Sequence, residues 1–387
     1  MDGVRKQLSI THNHWKFPRE LLHGLIIRTW FSQVEVLGSI PKDRPLLLVS
    51  THRNGAVDGW LLHSLLPEIQ FMVAARLVRS RWQRIFFSGI PVERTKDGAD
   101  RSGNSKALLQ CRDHLLEKGV LCIFPEGTSS LGPQHLPFHS GAARVALAYQ
   151  KEAGIFPIII PIGLHYGEPE CFRSTAEVVI GDPIVARKAH LPTLRRSIEA
   201  ALLKVGTHFE DESHQAMAQA VAALGSRPRF PKLKELETHT PAALKTCWAP
   251  LDRATQKRLT RAHSKSSSAL FLLPLVIPGF ILNCPVFLTS YLVSKKLADG
   301  PNVIALWKIL AGTAAAAIWI PGMIILAAYL GWLPLLSYAA STVMTIQFWS
   351  SIRAALRALR LRFAPQRTGK IIRMFLYSAT RHEQRLN

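Results

Sequence analysis

The chain has 387 residues, more than most single hydrophobic cores hold, so at least two structural units are expected. Its formal charge of +22 calls for an anionic partner such as nucleic acid, an anionic membrane surface or an anionic substrate. A 48% hydrophobic fraction argues against a simple nucleic-acid binder. The five cysteines are odd in number and widely spaced with no Cys-x-x-Cys pair, so reduced thiols and no structural zinc are the economical reading.

The first fourteen residues are polar and lack the apolar core of a signal peptide. Trp15–Val36 follows as an amphipathic stretch, with Leu21, Leu22, Leu25, Ile26 and Ile27 interrupted by Arg19, His23 and Arg28. Charge at that density forbids a span. A helix lying on a membrane and a core-facing helix both fit. Val34–Gly38 reads as a short strand and turn.

Pro45–Ser50 is an apolar run without alternation, the signature of a buried strand in a largely parallel sheet. It delivers Thr-His-Arg-Asn-Gly-Ala-Val-Asp, residues 51–58, to the carboxyl end of that strand, where open α/β sheets place ligands. Asp58 can reach back to His52, fix its tautomer and stabilise its imidazolium. Alone, such a pair is more often a polar strand-to-helix turn capped by the aspartate. A helix is expected near Trp60–Leu66 and a strand near Phe71–Ala74. Val78–Phe87 is basic and aromatic, and leads into Gly89-Ile-Pro-Val-Glu-Arg94. Arg94 at a strand end can hold a phosphate bidentately, or be a solvated surface arginine.

Ser105–Lys118 has helical spacing and ends at Gly119. Val120–Phe124 is a second buried-strand run. It brings Pro125-Glu126-Gly127-Thr128-Ser129 to the same edge as His52. There a glutamate before a glycine can point its carboxylate into a cleft. A helix opening near Phe138, strands at Phe156–Leu164 and Ala176–Ile180, and a turn at Gly181 complete an α/β pattern. No dinucleotide or Walker fingerprint and no metal-ligand histidine spacing occurs. Leu191–Leu224 is helical and amphipathic, and Ser226–Ser268 is charged with several prolines.

The last third is different. Residues 266–294 and 309–352 carry no charge. The second stretch is twice the roughly 20 residues of one span, with breakers at Gly331 and Pro334. Two spans are expected, Trp307–Leu330 and Trp332–Ser350. Ala269–Val293 is long enough to cross once, but Pro274, Pro278 and Pro285 make it a re-entrant hairpin or a kinked span. Lys295, Lys296 and a tail from Arg353 with nine Lys/Arg against one acid, Glu383, favour the cytoplasmic side.

Taken together, His52–Asp58, Gly89–Arg94, Phe124–Thr128 and Ile158–Gly163 resemble, in order and spacing, the four blocks of the glycerolipid acyltransferases. That superfamily includes the glycerol-3-phosphate and lysophosphatidate acyltransferases, and the resemblance covers roughly residues 20–190. Ser294-Lys-Lys-Leu-Ala298, Ala305–Leu310 and the motifs around Pro274, Pro278 and Pro285 resemble the yeast-type glycerol-3-phosphate/dihydroxyacetone-phosphate branch. Five residues separate His52 from Asp58, where most of the superfamily has four and the yeast-type branch five. His139 stands where relatives commonly carry lysine.

The resemblance implies a mostly parallel α/β fold with a helical membrane region. It implies His52 as general base held by Asp58, with Arg94, Glu126, Gly127 and Thr128 forming the substrate site. The acyl thioester, on coenzyme A or acyl carrier protein, is a co-substrate, and neither cofactor nor metal is implied. The acceptor is glycerol 3-phosphate or dihydroxyacetone phosphate, with lysophosphatidate as the alternative. A catalytically dead membrane-binding protein would lack His52, Asp58 or Glu126, and nucleic acid is not an expected partner. The expected organisation is an N-terminal amphipathic segment (1–37), an α/β acyltransferase domain (38–190), a helical extension and connector (191–268), a membrane region (269–352) and a basic cytoplasmic tail (353–387). Such a protein sits in an anionic bilayer, bacterial inner membrane or endoplasmic reticulum, with its catalytic domain on the cytoplasmic face.

Overall fold

The computed structural model describes residues 18–81, 83–93, 104–186, 189–225, 227–260, 267–362, 374–375 and 377–378. In chain order the elements are α1 (Pro18–Trp30), β1 (Phe31–Leu37), β2 (Leu46–Ser50), α2 (Ala56–Leu65), β3 (Ile69–Ala74), α3 (Gln83–Phe86), β4 (Ile90–Val92), α4 (Asn104–Leu116), β5 (Val120–Ile123), α5 (Gly141–Ala153), β6 (Ile158–Tyr166) and β7 (Ser174–Ile180). Helices follow from there: α6 (Leu191–Val205), α7 (Glu212–Leu224), α8 (Phe230–Thr238), α9 (Ala242–Trp248), α10 (Arg253–Leu259), α11 (Leu273–Leu282), α12 (Cys284–Leu297), α13 (Ile304–Leu330) and α14 (Trp332–Arg362).

The seven strands form one sheet in the order β1-β7-β6-β2-β5-β3-β4. Every neighbouring pair is parallel except β6 with β7. This is the mixed, mostly parallel α/β fold expected. The lack of alternation in Leu46–Ser50 has a direct cause. Leu46 and Leu48 pack with Trp60, Leu61, Ile160 and Ala305 on one face, while Leu47 and Val49 pack with Leu115, Val145, Ile159 and Leu202 on the other. Both faces of β2 are covered, so both must be apolar. In β2–β5 pairing, Leu48 lies opposite Cys122, so the two strands end at one edge of the sheet.

The N-terminal boundary expected at residue 38 falls inside this domain. Phe31–Leu37 is a strand of the sheet, in parallel pairing with β7, and Ile26, Ile27 and Trp30 of α1 are buried in the same core. Leu21 and Leu25 on the opposite side of α1 are exposed. The stretch 191–224, expected to be helical, is two helices, broken between Gly206 and Asp211, where the Asp211 side chain accepts the His214 amide hydrogen at 2.7 Å. α7–α10 gather round their own core of Met217, Leu236, Leu244 and Trp248.

Among the described residues one helix is long and apolar enough to cross a membrane, Pro301–Leu330. Its first turns are not free: Ala305 and Ile309 are buried in the sheet's core. The proline-rich stretch forms α11 and α12, which meet at Asn283 with a bend of 69°. Pro285 lies in the first turn of α12, as expected of a residue without an amide hydrogen. The second expected span lies within α14, which is long but less apolar than α13. Its polar residues have a use: Tyr338 donates to Asn283 Oδ1 at 3.0 Å, at the bend, and Thr345 donates to the Val276 carbonyl of α11 at 2.9 Å.

Candidate active site

His52 lies two residues beyond β2. Its backbone is fixed first. The amide donates to Glu126 Oε1 at 3.0 Å, and the carbonyl accepts the Ser130 amide hydrogen at 2.9 Å. The ring stacks on Phe124 with centroids 4.3 Å apart. Its Nδ1 is 2.8 Å from Asp58 Oδ2. A carboxylate only accepts, so Nδ1 carries the hydrogen and the neutral ring keeps its lone pair on Nε2.

Asp58, in the first turn of α2, is wholly buried. Its Oδ2 also accepts the amide hydrogens of Arg53 at 2.7 Å and Asn54 at 2.9 Å, and its Oδ1 accepts the Tyr166 hydroxyl at 2.5 Å. Four donors thus converge on one carboxylate, which offsets its desolvation. With five intervening residues the pair cannot share a helix face, since six positions rotate by about 600°. Gly55 supplies the bend, with φ 55° and ψ −137° immediately before α2.

Glu126 departs from expectation. It is buried, and its carboxylate turns away from the cleft to bind backbone: His52 N on Oε1 and Leu136 N on Oε2 at 3.1 Å. His135 Nδ1 lies 3.5 Å from Oε1. Burial alone would raise its pKa, but these hydrogen bonds and the His135 charge hold it below the usual carboxylate value. Burial likewise lowers the Arg53 pKa, opposed by the charges of Glu126 and Asp58. Glu126 therefore ties the His52 turn to the 125–136 loop.

Gly127 and Thr128 face the same cavity as His52, a space of about 590 Å³. Gly127 has φ 68°, and a side chain there would meet the His139 ring, which also lines the cavity. One wall is aromatic, from Trp60, Phe71, Phe86 and Phe87. The other includes Gly300, Asn302 and Val303 from the approach to α13, and Leu306 from its first turn. Arg94 lies outside the described residues. Among the described residues no group of three or more His, Cys, Asp or Glu could hold a metal ion.

Sequence reasoning missed Tyr166 and Asn302. Tyr166 could have been found from its place at the carboxyl end of the strand after the Ile158–Gly163 block. Nothing in the sequence marks Asn302, 250 positions after His52, as part of the same cavity.

Comparison with known proteins places these residues in a family. Residues 32–164 match the family model described as Acyltransferase. Glycerol-3-phosphate O-acyltransferase 2 of Saccharomyces cerevisiae is 24% identical over 279 residues, 57% of this chain and 38% of that protein. Glycerol-3-phosphate O-acyltransferase 1 of the same yeast is 25% identical over 264 residues, 53% of this chain and 35% of that one. A 1-acyl-sn-glycerol-3-phosphate acyltransferase of Chlamydomonas reinhardtii is 29% identical over 140 residues, 35% of this chain and 39% of that one. The chain thus spans little more than a third of the length of these relatives. His52, Asp58, Glu126, Gly127 and Thr128 all lie inside the segment that matches the acyltransferase family model.

Proposed function

We propose that the protein transfers a fatty acyl group from an acyl thioester to a hydroxyl of glycerol 3-phosphate or dihydroxyacetone phosphate. The observation that carries this reading is the 2.8 Å contact of His52 Nδ1 with the buried Asp58, beside an aromatic-walled cavity and within the segment that matches the acyltransferase family model. His52 Nε2 takes the proton from the acceptor hydroxyl as its oxygen attacks the thioester carbonyl. The tetrahedral intermediate collapses, breaks the C–S bond and releases a thiolate, which takes the proton back from the imidazolium. Asp58 stabilises that imidazolium. General-base help of this kind contributes roughly 10²–10⁴-fold. Positioning supplies more, with effective molarities of about 10⁵–10⁸ M within reach.

The aromatic wall suits the acyl chain, and the Gly127–Thr128 turn suits the polar acceptor. Arg94, which lies outside the described residues and follows Glu93 in sequence, is the proposed phosphate anchor. The names of the two yeast relatives favour glycerol 3-phosphate. The name of the algal relative supports a second reading, with lysophosphatidate as acceptor. The helix Pro301–Leu330 supports a membrane-embedded enzyme, and the basic residues Lys295 and Lys296 support a catalytic domain on the cytoplasmic face.

The test is acyl transfer by the purified protein with labelled acyl-CoA and acyl carrier protein thioesters. Glycerol 3-phosphate, dihydroxyacetone phosphate and lysophosphatidate are compared as acceptors. Turnover of glycerol 3-phosphate above the others is expected. Preference for lysophosphatidate selects the second reading, and no transfer to any acceptor removes both.

A further inference from the structure

The approach to the apolar helix reaches into the catalytic cavity. Asn302 sits in the tight turn Pro301–Val303 that enters α13. Its side-chain amide donates to the Ser129 carbonyl at 3.1 Å and to Ser129 Oγ at 2.6 Å. Ser129 follows Gly127 and Thr128, which line the cavity, and the next residue, Ser130, donates its amide to the His52 carbonyl at 2.9 Å. The turn is therefore held at adjacent residues, to His52 through Ser130 and to the linker that enters α13 through Ser129.

The linker is itself anchored to the sheet domain. Ala305 and Ile309 are buried in the core shared with Trp60 and Leu61, and Lys308 Nζ donates to the Glu170 carbonyl at 2.8 Å. From α14, Arg357 pairs with Glu168 at 2.6 Å. Asn302 is thus presented from a fixed platform. A carboxamide has no acid–base chemistry in the physiological range, which leaves geometry as its contribution.

We propose that Asn302 is a positioning residue of the acyl-transfer site, whose amide holds the Gly127–Ser130 turn at the distance from His52 that the acceptor requires. This rests on the acyltransferase reading above. It makes the segment entering the apolar helix a wall of the acceptor site, and couples the placement of that helix to turnover.

The experiment measures steady-state kinetics and the thermal midpoint of the full-length protein as wild type, Asn302→Ala, Asn302→Gln and Ser129→Ala. Two hydrogen bonds of ordinary strength correspond to roughly 5- to 150-fold in binding. Asn302→Ala is expected to raise the acceptor KM at least fivefold, with the acyl-CoA KM within twofold of wild type and the midpoint unchanged. Ser129→Ala keeps the carbonyl bond and should show a smaller rise in acceptor KM. Asn302→Gln keeps the carboxamide and should recover part of the loss. An unchanged acceptor KM in Asn302→Ala overturns the proposal. So does an equal rise in both KM values with a lowered midpoint and no recovery in Asn302→Gln, since that is the behaviour of a merely structural contact. A wild type that acylates none of the three acceptors overturns the acyltransferase reading itself, and this proposal with it.

Discussion

The Tyr166 hydroxyl donates to Asp58 Oδ1 at 2.5 Å, on the opposite carboxylate oxygen from the one that His52 contacts. Its ring is held in turn, stacked on Phe31 with centroids 5.7 Å apart. Burial, then the negative charge of Asp58, pushes the phenol pKa well above its ordinary value, so the group remains a donor. The phenol stops the carboxylate from rotating and aims Oδ2 at the imidazole. Tyr166→Phe is expected to lower kcat by at least tenfold, in line with the roughly 1.5–3 kcal/mol of a hydrogen bond to a charged group. Both KM values should stay within about twofold. Unaltered kcat in that variant would show the phenol to be a packing element only.

His52→Ala is expected to abolish acyl transfer. Asp58→Asn should keep the fold, because an amide oxygen can still accept from Arg53 N and Asn54 N. It cannot stabilise an imidazolium, so kcat should fall by roughly 10²–10⁴-fold. The readout is single-turnover acyl transfer, with the thermal midpoint measured alongside. Near-normal transfer by a well-folded His52→Ala protein would defeat the general-base mechanism.

The sheet was legible because covering both faces of β2 leaves an unbroken apolar run, and the parallel order then fixes which turns share an edge. The proximity of His52 and Asp58 was legible because only Gly55 lies between them with freedom to bend the chain. The orientation of Glu126 was not. Spacing says that a carboxylate reaches the edge of the sheet, but two backbone amides, His52 N and Leu136 N, decide which way it turns. Hydrogen bonds to main chain leave no sequence signature, since every residue but proline offers the same donor. Asn302 and Tyr338 were hidden for a related reason. Tyr338 lies in an uncharged stretch, where a polar side chain reads as a blemish in a span until its partner is known, and Asn302 lies in a short connector between two such stretches, far in sequence from the Ser129 that it holds.

Gly55 has φ 55°, and a Cβ there would lie 3.1 Å from the Asn302 carbonyl oxygen and 3.6 Å from Val303. A β-branched residue suffers twice, from backbone strain of roughly 1–3 kcal/mol and from the close approach of the linker. Gly55→Val is expected to lower the thermal midpoint and to reduce kcat at least tenfold, although its added Cβ lies against Asn302, Val303 and Ser129 and not against His52 or Asp58. Gly24→Ala is the control: nothing lies within 4 Å of its added Cβ in α1, and it should be neutral or slightly stabilising. Equal behaviour of the two variants would mean that the bend before α2 tolerates a side chain.

His165 should make stability depend on pH in a defined direction. Its Nε2 lies 2.8 Å from the Val205 carbonyl, at the end of α6, so the neutral ring donates there. Burial first of all, with smaller contributions from the charges of Arg53, His135 and Lys234, lowers its pKa from 6.5 to about 3, against the hydrogen bond, which raises it. Between those values the unfolded chain binds a proton that the folded chain does not. Stability therefore falls as pH drops from about 6.5 towards 3, by at most about 1.4 kcal/mol per pH unit from this group, and is flat above 6.5. Glu126, whose pKa is lowered, contributes stability that is lost only at more acid pH, as the medium passes down through its folded value. The window from 6.5 to 5 thus isolates the histidine from that carboxylate. His165→Gln keeps a donor for Val205 and removes the titration. Denaturation midpoints at pH 7.5 and pH 5 should differ less in His165→Gln than in wild type. Parallel profiles for the two proteins would rule out His165 as the source of the acid sensitivity.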